Sequence, residues 1–247
     1  NHQPVLCNLY ARAYQDDGAR AIVRGPGKLL GAGQAADLSW RLVDVGSGPI
    51  SEVGVELRSD RRADGTVYLD YLTWNGTPDT TLIGADHGAA IAQRTWVSSA
   101  DHVWTGAGVR LSQDRGTGLL IQGTRDWAGY ELSAVIKVHL ARRAGLAVRV
   151  QGQTRFYGFL LCSDQTVQLV KALDSEHLLA TASFAWRLDV AYELRLRVQD
   201  DTITGYIDGR EVIAAKDVSH PLTGGAVALV CEEGRVDVPN VRITPIG

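Results

Sequence analysis

The chain has 247 residues, of which 45% are apolar and 21% are charged, and its 25 basic and 28 acidic residues give a formal net charge of −3. This length and apolar fraction are typical of one large or two smaller globular domains and exclude a disordered chain. Because the charge is nearly balanced, the chain has no net positive charge that would attract nucleic acid or an anionic membrane. We therefore expect neither as a partner.

Apolar residues alternate with polar ones in several stretches, which predicts half-buried strands of antiparallel sheets. Asp208-Gly209 separates two further apolar runs and predicts a hairpin turn. Helix signals are poor, so we predict an all-β fold made of two tandem antiparallel β-sandwiches. In chain order, the alternating stretches are residues 53–57, 66–72, 133–139, 146–151 and 193–199.

The stretch 84–90 is rich in glycine and alanine, which predicts a boundary between two domains. We expect residues 1–95 to form one sandwich, truncated at its N-terminus. Residues 96–247 have the length of a whole jelly roll. The chain contains no methionine, so it is either processed or a piece of a longer protein, and we expect the second.

Motifs for metal binding and catalysis are missing from the sequence. Cys7, Cys162 and Cys231 show no CxxC spacing, and the six histidines form no i, i+2 or i, i+4 pair. The sequence has no GxSxG, HExxH or Walker motif. We therefore predict no catalytic residue, no metal site and no cofactor. We expect the cysteines to be buried free thiols in a reducing compartment, which indicates a cytoplasmic protein.

A group of aromatic and planar polar residues is the best candidate for a ligand-binding surface. An aromatic face beside planar polar groups suits a sugar or a phosphate. Trp127 lies in a loop-like stretch, and the polar residues lie on neighbouring stretches that could share a sheet face. A core position for the tryptophan and a solvated face for the arginines are the alternatives. The predicted surface consists of Arg125, Trp127, Arg149, Gln151, Arg155 and Tyr157.

Three stretches resemble the C-terminal region of bacterial ADP-ribosylglycohydrolase-family proteins: GTVYLDYLTWNGTPD (65–79), DWAGYEL (126–132) and HLARRAGLAVRVQG (139–152). The likeness implies a galactose-binding-like sandwich in residues 1–95. It implies a concanavalin-like jelly roll, similar to laminin-G and keto-sugar hydrolase domains, in residues 96–247. The helical catalytic domain of that family binds metal through clustered acidic residues. Nothing in this chain matches that cluster, so no catalytic residue is carried over.

These observations lead to one main hypothesis and two alternatives. The chain is expected to be a non-catalytic accessory region of a larger hydrolase. It would hold a carbohydrate or ADP-ribose-like ligand and contact a helical catalytic domain that is absent from this chain. The first alternative is a glycoside-type hydrolase at the concave face of the jelly roll, which needs two carboxylates about 5–10 Å apart. The second is a purely structural interaction module.

Overall fold

The computed structural model describes residues 3–15, 17–42, 49–62, 64–77, 79–84 and 95–246. Within them, every element with defined bounds is a β-strand and all pairing is antiparallel, which confirms the predicted all-β class. No helix in these ranges is long and apolar enough to cross a membrane. The strands are β1 (Val5–Tyr14), β2 (Arg20–Leu30), β3 (Ile50–Arg58), β4 (Thr80–Ile83), β5 (Val97–Ser98), β6 (His102–Thr105), β7 (Val109–Gln122), β8 (Tyr130–Gly152), β9 (Arg155–Cys162), β10 (Thr166–Leu173), β11 (Ser175–Ser183), β12 (Ala191–Gln199), β13 (Thr202–Ile207), β14 (Arg210–Lys216) and β15 (Ala226–Pro245).

The chain divides into two compact units, Asn1–Trp74 and Asn75–Gly247, which we call unit 1 and unit 2. This division lies earlier than the boundary expected at residue 95. The reason is that β4 pairs with β15, Ile83 lying opposite Val241, so the residues around β4 pack with unit 2. Much of the alanine-rich stretch on which the expectation rested, 85–90, lies outside the described residues. The galactose-binding-like and concanavalin-like assignments of the two parts stay predictions.

Unit 1 contains a three-stranded sheet in the order β2-β1-β3. Alternation gives this sheet one apolar face, on which Leu9 of β1 lies opposite Val55 of β3. The other face is charged, and Arg24 donates two hydrogen bonds to Glu56 there, 2.7 and 2.9 Å long. The stretch 66–72 has the same alternation but lies outside any strand, and Tyr68 within it is 85% exposed. The predicted strand at 66–72 is therefore wrong, because no described strand pairs with it.

Unit 2 is a sandwich of two layers that share the long strands β7, β8 and β15. The front layer contains β6, β12, β13 and β14, together with the first halves of β7 and β8 and the second half of β15. The back layer contains β5, β9, β10 and β11, together with the second halves of β7 and β8 and the first half of β15. The hairpin predicted at Asp208-Gly209 joins β13 to β14, and both residues have positive φ, 48° and 79°.

The core of unit 2 lies between these layers and is built from inward residues of every long strand. Phe159 of the back layer and Leu194 and Leu196 of the front layer are all fully buried. Gly205 of β13 permits this packing, because a Cβ there would lie 2.8 Å from the ring of Phe159. The alternation predicted for residues 193–199 is therefore confirmed, since Leu194, Leu196 and Val198 all belong to the core.

The alternation predicted for residues 146–151 holds only in part. Leu146 and Val148 lie in the core, whereas Val150 belongs to a separate buried cluster. The pairing of β8 with β9 is irregular between Val148 and Gly152, and Arg149 has a positive φ of 49°. At this irregularity side chains no longer alternate between the two faces of the strand. Arg149 is therefore buried instead of facing solvent.

The three cysteines are free and buried, as predicted. Burial raises the pKa of the Cys162 thiol to about 11 and that of Cys231 to about 12. Such thiols stay protonated near neutral pH and react slowly, because the thiolate is the reactive form.

Replacing the core residue Leu196 with alanine tests the position of the core. Leu196→Ala is expected to lower the free energy of unfolding of unit 2 by about 2–5 kcal/mol, because it leaves a cavity. Urea denaturation followed by circular dichroism measures the change. The matched control is Leu178→Ala on β11, where the leucine is 57% exposed and the expected change is within about 0.5 kcal/mol. Equal effects of the two substitutions would contradict the core described here.

Candidate functional site

The predicted surface residue Tyr157 lies inside unit 2, where it holds the connection between β14 and β15. We call this connection, residues 217–225, the clamped loop. The Tyr157 hydroxyl donates a hydrogen bond of 2.6 Å to Asp217 Oδ2 and accepts one of 2.8 Å from the N–H of Leu222. Tyr157 is 1% exposed, so its hydroxyl group forms hydrogen bonds inside the protein and does not face solvent.

Arg149 and Gln151 hold the same loop. Gln151 Nε2 donates to the carbonyl oxygen of Gly224 at 2.8 Å. Arg149 Nη1 donates to the carbonyl oxygens of Leu222 and Asp200. Arg149 is 3% exposed, and its buried Nε finds no hydrogen-bond partner among the described residues. Burial accordingly lowers the pKa of Arg149 below its ordinary value.

A buried ion pair completes the attachment of the clamped loop. Lys171 Nζ lies 2.6 Å from Asp217 Oδ2, and the two side chains are 6% and 4% exposed. The ammonium also donates to the carbonyl oxygens of Ser219 and His220. Burial alone would raise the pKa of Asp217, but the hydrogen bonds from Lys171 and Tyr157 hold it below its ordinary value.

The other three predicted residues differ in their surroundings. Trp127 is half-buried against the core, and its carbonyl oxygen accepts a hydrogen bond of 2.9 Å from the N–H of Gly225 in the clamped loop. Arg125 is exposed, with its carbonyl group close to the same loop. Arg155 forms an exposed ion pair of 2.9 Å with Asp174. The structure thus brings five of the six residues to the clamped loop and pairs Arg155 elsewhere. Ligand binding by this set stays a prediction.

A different row of side chains crosses the solvent-facing side of the front layer, which we call the front face. Trp104 of β6 lies directly opposite Arg110 of β7, and Arg110 lies opposite Asp237 of β15. Asp237 in turn lies opposite Lys137 of β8. Directly opposed residues of antiparallel strands point to the same face of a sheet. We call these four residues the Trp104 row.

Trp104 gives this row an open aromatic surface. Its side chain is 51% exposed although a tryptophan of a sandwich usually lies in the core. The ring of His102 lies beside it, with ring centroids 5.5 Å apart and the planes inclined by 35°. The pair therefore presents aromatic area to solvent next to the guanidinium of Arg110.

An ionic network fixes the polar part of the row. Arg110 donates two hydrogen bonds to the Asp237 carboxylate, 2.5 and 2.7 Å long. His139 Nε2 lies 2.9 Å from the same carboxylate, and His139 Nδ1 lies 2.6 Å from Asp189 Oδ1. The hydrogen bonds from Arg110 hold the pKa of Asp237 well below its usual range, and the imidazole of His139 beside the carboxylate contributes further. Near neutral pH the carboxylate is therefore charged and the guanidinium stays in a fixed orientation.

Sequence reasoning missed the Trp104 row as a unit. Trp104 is visible in the sequence, but its exposure is not. The row itself depends on the register of four strands, and its directly bonded members Arg110 and Asp237 lie 127 residues apart. No three His, Cys, Asp or Glu side chains in the described ranges are grouped closely enough to hold a metal ion.

Comparison with solved structures identifies the fold. The chain is similar to the carbohydrate-binding module CBM66 from Bacillus subtilis, with 18% identity and a TM-score of 0.54 over 60% of this chain and 94% of that one. It is similar to the exoplasmic/lumenal domain of VIP36 in a Ca²⁺/Man3GlcNAc-bound form, with 15% identity and a TM-score of 0.51 over 68% and 89%. It is also similar to a legume lectin-like domain from Entamoeba histolytica, with 10% identity and a TM-score of 0.52 over 70% and 100%.

At these identities the similarity shows a shared lectin-like β-sandwich fold, and a fold by itself does not fix a ligand. The matches cover 60% to 70% of the chain, and unit 1 ends at Trp74, so at least half of each match falls in unit 2. A scan against protein-family models gives no match for the chain, and neither does a search of the curated proteins.

The buried pair beneath the clamped loop gives a pH-dependent prediction. Asp217→Asn is expected to lower the free energy of unfolding at pH 7 by about 3–5 kcal/mol, because it leaves the Lys171 ammonium buried without its counter-charge. Since the pKa of Asp217 is lower in the folded than in the unfolded protein, its contribution is present above about pH 4 and is lost as the pH falls further. The difference in the free energy of unfolding between Asp217→Asn and the unaltered protein should therefore become smaller in acid.

Denaturation with urea between pH 3 and pH 7 measures this difference. The matched control is Asp201→Asn, which removes an exposed pair with Lys216 at 3.5 Å and is expected to cost at most about 1 kcal/mol. A difference in the free energy of unfolding between the Asp217 variant and the unaltered protein that stays constant with pH would show that folding does not change the pKa of Asp217. That result would contradict the ion pair with Lys171.

Proposed function

We propose that unit 2 is a carbohydrate-binding module that holds a glycan on its front face, over the Trp104 row. The observation that carries this proposal is the exposed indole of Trp104 directly opposite an arginine whose orientation is fixed by Asp237. The lectin-like fold of unit 2 supports it. One of the similar structures is a carbohydrate-binding module, and another contains Man3GlcNAc.

The chemistry of the row suits a sugar ring. The indole offers a flat apolar surface for the C–H face of the ring, and the guanidinium and carboxylate offer a donor and an acceptor for its hydroxyl groups. Arg110 and Asp237 already hold each other in place, so binding costs little side-chain entropy. Neutral hydroxyl groups also demand no change of charge from the Arg110–Asp237 pair, in which the two charges balance.

A hydrolase is the second hypothesis, and the front face does not favour it. Asp189 and Asp237 flank the imidazole of His139, which resembles a pair of catalytic carboxylates. Glycoside hydrolysis needs one carboxylic acid whose pKa is raised so that it can donate a proton. The pKa of Asp237 is shifted in the opposite direction. Asp237 is therefore suited to accept hydrogen bonds and not to act as the acid.

A finer proposal concerns the ligand and the whole protein. The resemblance of residues 65–79, 126–132 and 139–152 to ADP-ribosylglycohydrolase-family proteins supports a parent hydrolase with a helical catalytic domain that contacts this chain. In that case the chain acts as an accessory region in the cytoplasm. The ligand would then include ADP-ribose-like groups, whose phosphates suit the planar fork of an arginine.

Replacing Trp104 tests the main proposal. A glycan array selects a ligand, and isothermal titration then compares variants of the whole chain. Trp104→Ala is expected to weaken binding at least about tenfold, because the stacking surface is lost, whereas Trp104→Phe keeps part of it. Arg125→Ala, a variant of the surface predicted from the sequence, should leave the affinity unchanged. If Arg125→Ala lowers the affinity for the glycan and Trp104→Ala does not, the glycan site lies at the clamped loop and the proposal is contradicted.

Titration with ADP-ribose tests the finer proposal. If the row takes an ADP-ribose-like group, ADP-ribose binds and Arg110→Gln weakens it about tenfold, because a bidentate contact to phosphate is lost. The control Arg115→Gln removes an exposed arginine outside the row. Binding of a neutral glycan together with no binding of ADP-ribose would overturn the finer proposal and leave the main one intact.

A further inference from the structure

A shallow depression lies on the front face, away from the Trp104 row, between β12 and β13. Its volume is about 280 Å³, and none of the lining side chains is aromatic. Arg197 lies opposite Thr204, and Gln199 lies opposite Thr202, so these four side chains point to the same face. The lining residues are Arg197, Gln199, Asp200, Thr202 and Thr204.

The depression and the Trp104 row share one face of the sheet. Lys137 of the row lies opposite Ala191, and Glu131 lies opposite Arg197. Six residues separate Lys137 from Glu131 on β8, an even number, so the two side chains point to the same side. At about 3.3 Å per residue, the two places lie about 20 Å apart along the strands.

The lining of the depression has a mixed and balanced chemistry. Arg197 supplies donors, Asp200 supplies acceptors and the two threonines supply hydroxyl groups. No carboxylate in the described residues forms an ion pair with Arg197, whose Nη2 reaches only Gln199 Oε1, at 3.4 Å. Because Asp200 offsets the charge of Arg197, a neutral hydroxylated ligand fits this lining better than an anion. The volume lies at the small end of ligand sites and suits a single ring.

The edge of the depression is held rigidly from inside the protein. Buried Arg149 donates a hydrogen bond of 2.6 Å to the carbonyl oxygen of Asp200. Asp200 itself has a positive φ of 51° at the turn between β12 and β13. A turn tied to the interior in this way keeps the lining residues in place before a ligand arrives, which reduces the entropic cost of binding.

From these observations we propose that the depression is a second sugar site, which takes one neutral hydroxylated ring. The inference rests on the proposed carbohydrate-binding function and extends it. The two sites lie about 20 Å apart along the strands and four strand spacings, about 19 Å, apart across the sheet from β6 to β12, which together make about 28 Å. A face with two sites at this separation binds a glycan of several residues, with one ring over Trp104 and another between Arg197 and Thr204. A single compact sugar then occupies either site independently.

Chemical-shift mapping of the whole ¹⁵N-labelled chain tests the second site. The probes are glucose, galactose, mannose, fructose and N-acetylglucosamine, each titrated into the millimolar range. At least one of them is expected to shift the backbone amides of Thr202 and Thr204 in a saturable way. Thr204→Val removes a hydroxyl at nearly constant volume and should weaken that response about three- to tenfold. The matched control, Thr244→Val, alters a threonine of the same face on β15 and should leave it unchanged.

The pattern of shifts separates the two proposals. Saturable shifts around Trp104 with none at Thr202 and Thr204 overturn the second site and support the proposed function. If Thr204→Val weakens the shifts at Thr202 and Thr204, the result supports the second site, with or without shifts around Trp104. If the shifts at Thr202 and Thr204 are equally strong in Thr204→Val and in Thr244→Val, the second site is overturned. It is also overturned if the folded protein shows no shifts either around Trp104 or at Thr202 and Thr204.

Discussion

The pairing of β8 with β15 along nearly their whole length is the constraint on which unit 2 depends. The two strands run antiparallel from Val150 opposite Ala226 to Tyr130 opposite Pro245. Both strands pass from one layer of the sandwich into the other. Their register therefore decides, for both layers at once, which side chains enter the core and which reach the surface. A shift of one residue would reverse every one of these positions. The same register places Asp237 beside Lys137, and so places the Trp104 row.

Much of the fold can be predicted from the sequence, because a period of two in hydrophobicity reports directly on a half-buried strand. The pattern at 193–199 predicts β12 correctly, and Asp208-Gly209 predicts the turn after β13, since its left-handed backbone suits aspartate and glycine. The pattern at 66–72 is just as regular and yet forms no strand. Alternation shows that a stretch can pair, but it does not show whether a partner strand lies beside it. Likewise, the placement of β4 with unit 2 depends on a strand some 160 residues later.

The candidate site illustrates the same limit for polar residues. Arg149, Gln151 and Tyr157 have the composition of a binding surface, but they hold a loop that returns about 70 residues later in the chain. A buried tyrosine or arginine needs partners for its polar atoms, and a loop that crosses the end of a sandwich supplies carbonyl and N–H groups. Polarity in the sequence does not distinguish such a role from ligand binding. The Trp104 row shows the converse, because its members become neighbours only through strand register.

The position of a bound glycan in a crystal of the whole chain is the most direct test of this account. A sugar ring is expected against the indole of Trp104, with hydroxyl groups within hydrogen-bond distance of Arg110 and Asp237. A glycan bound at the clamped loop or on unit 1, with the front face empty, would contradict it.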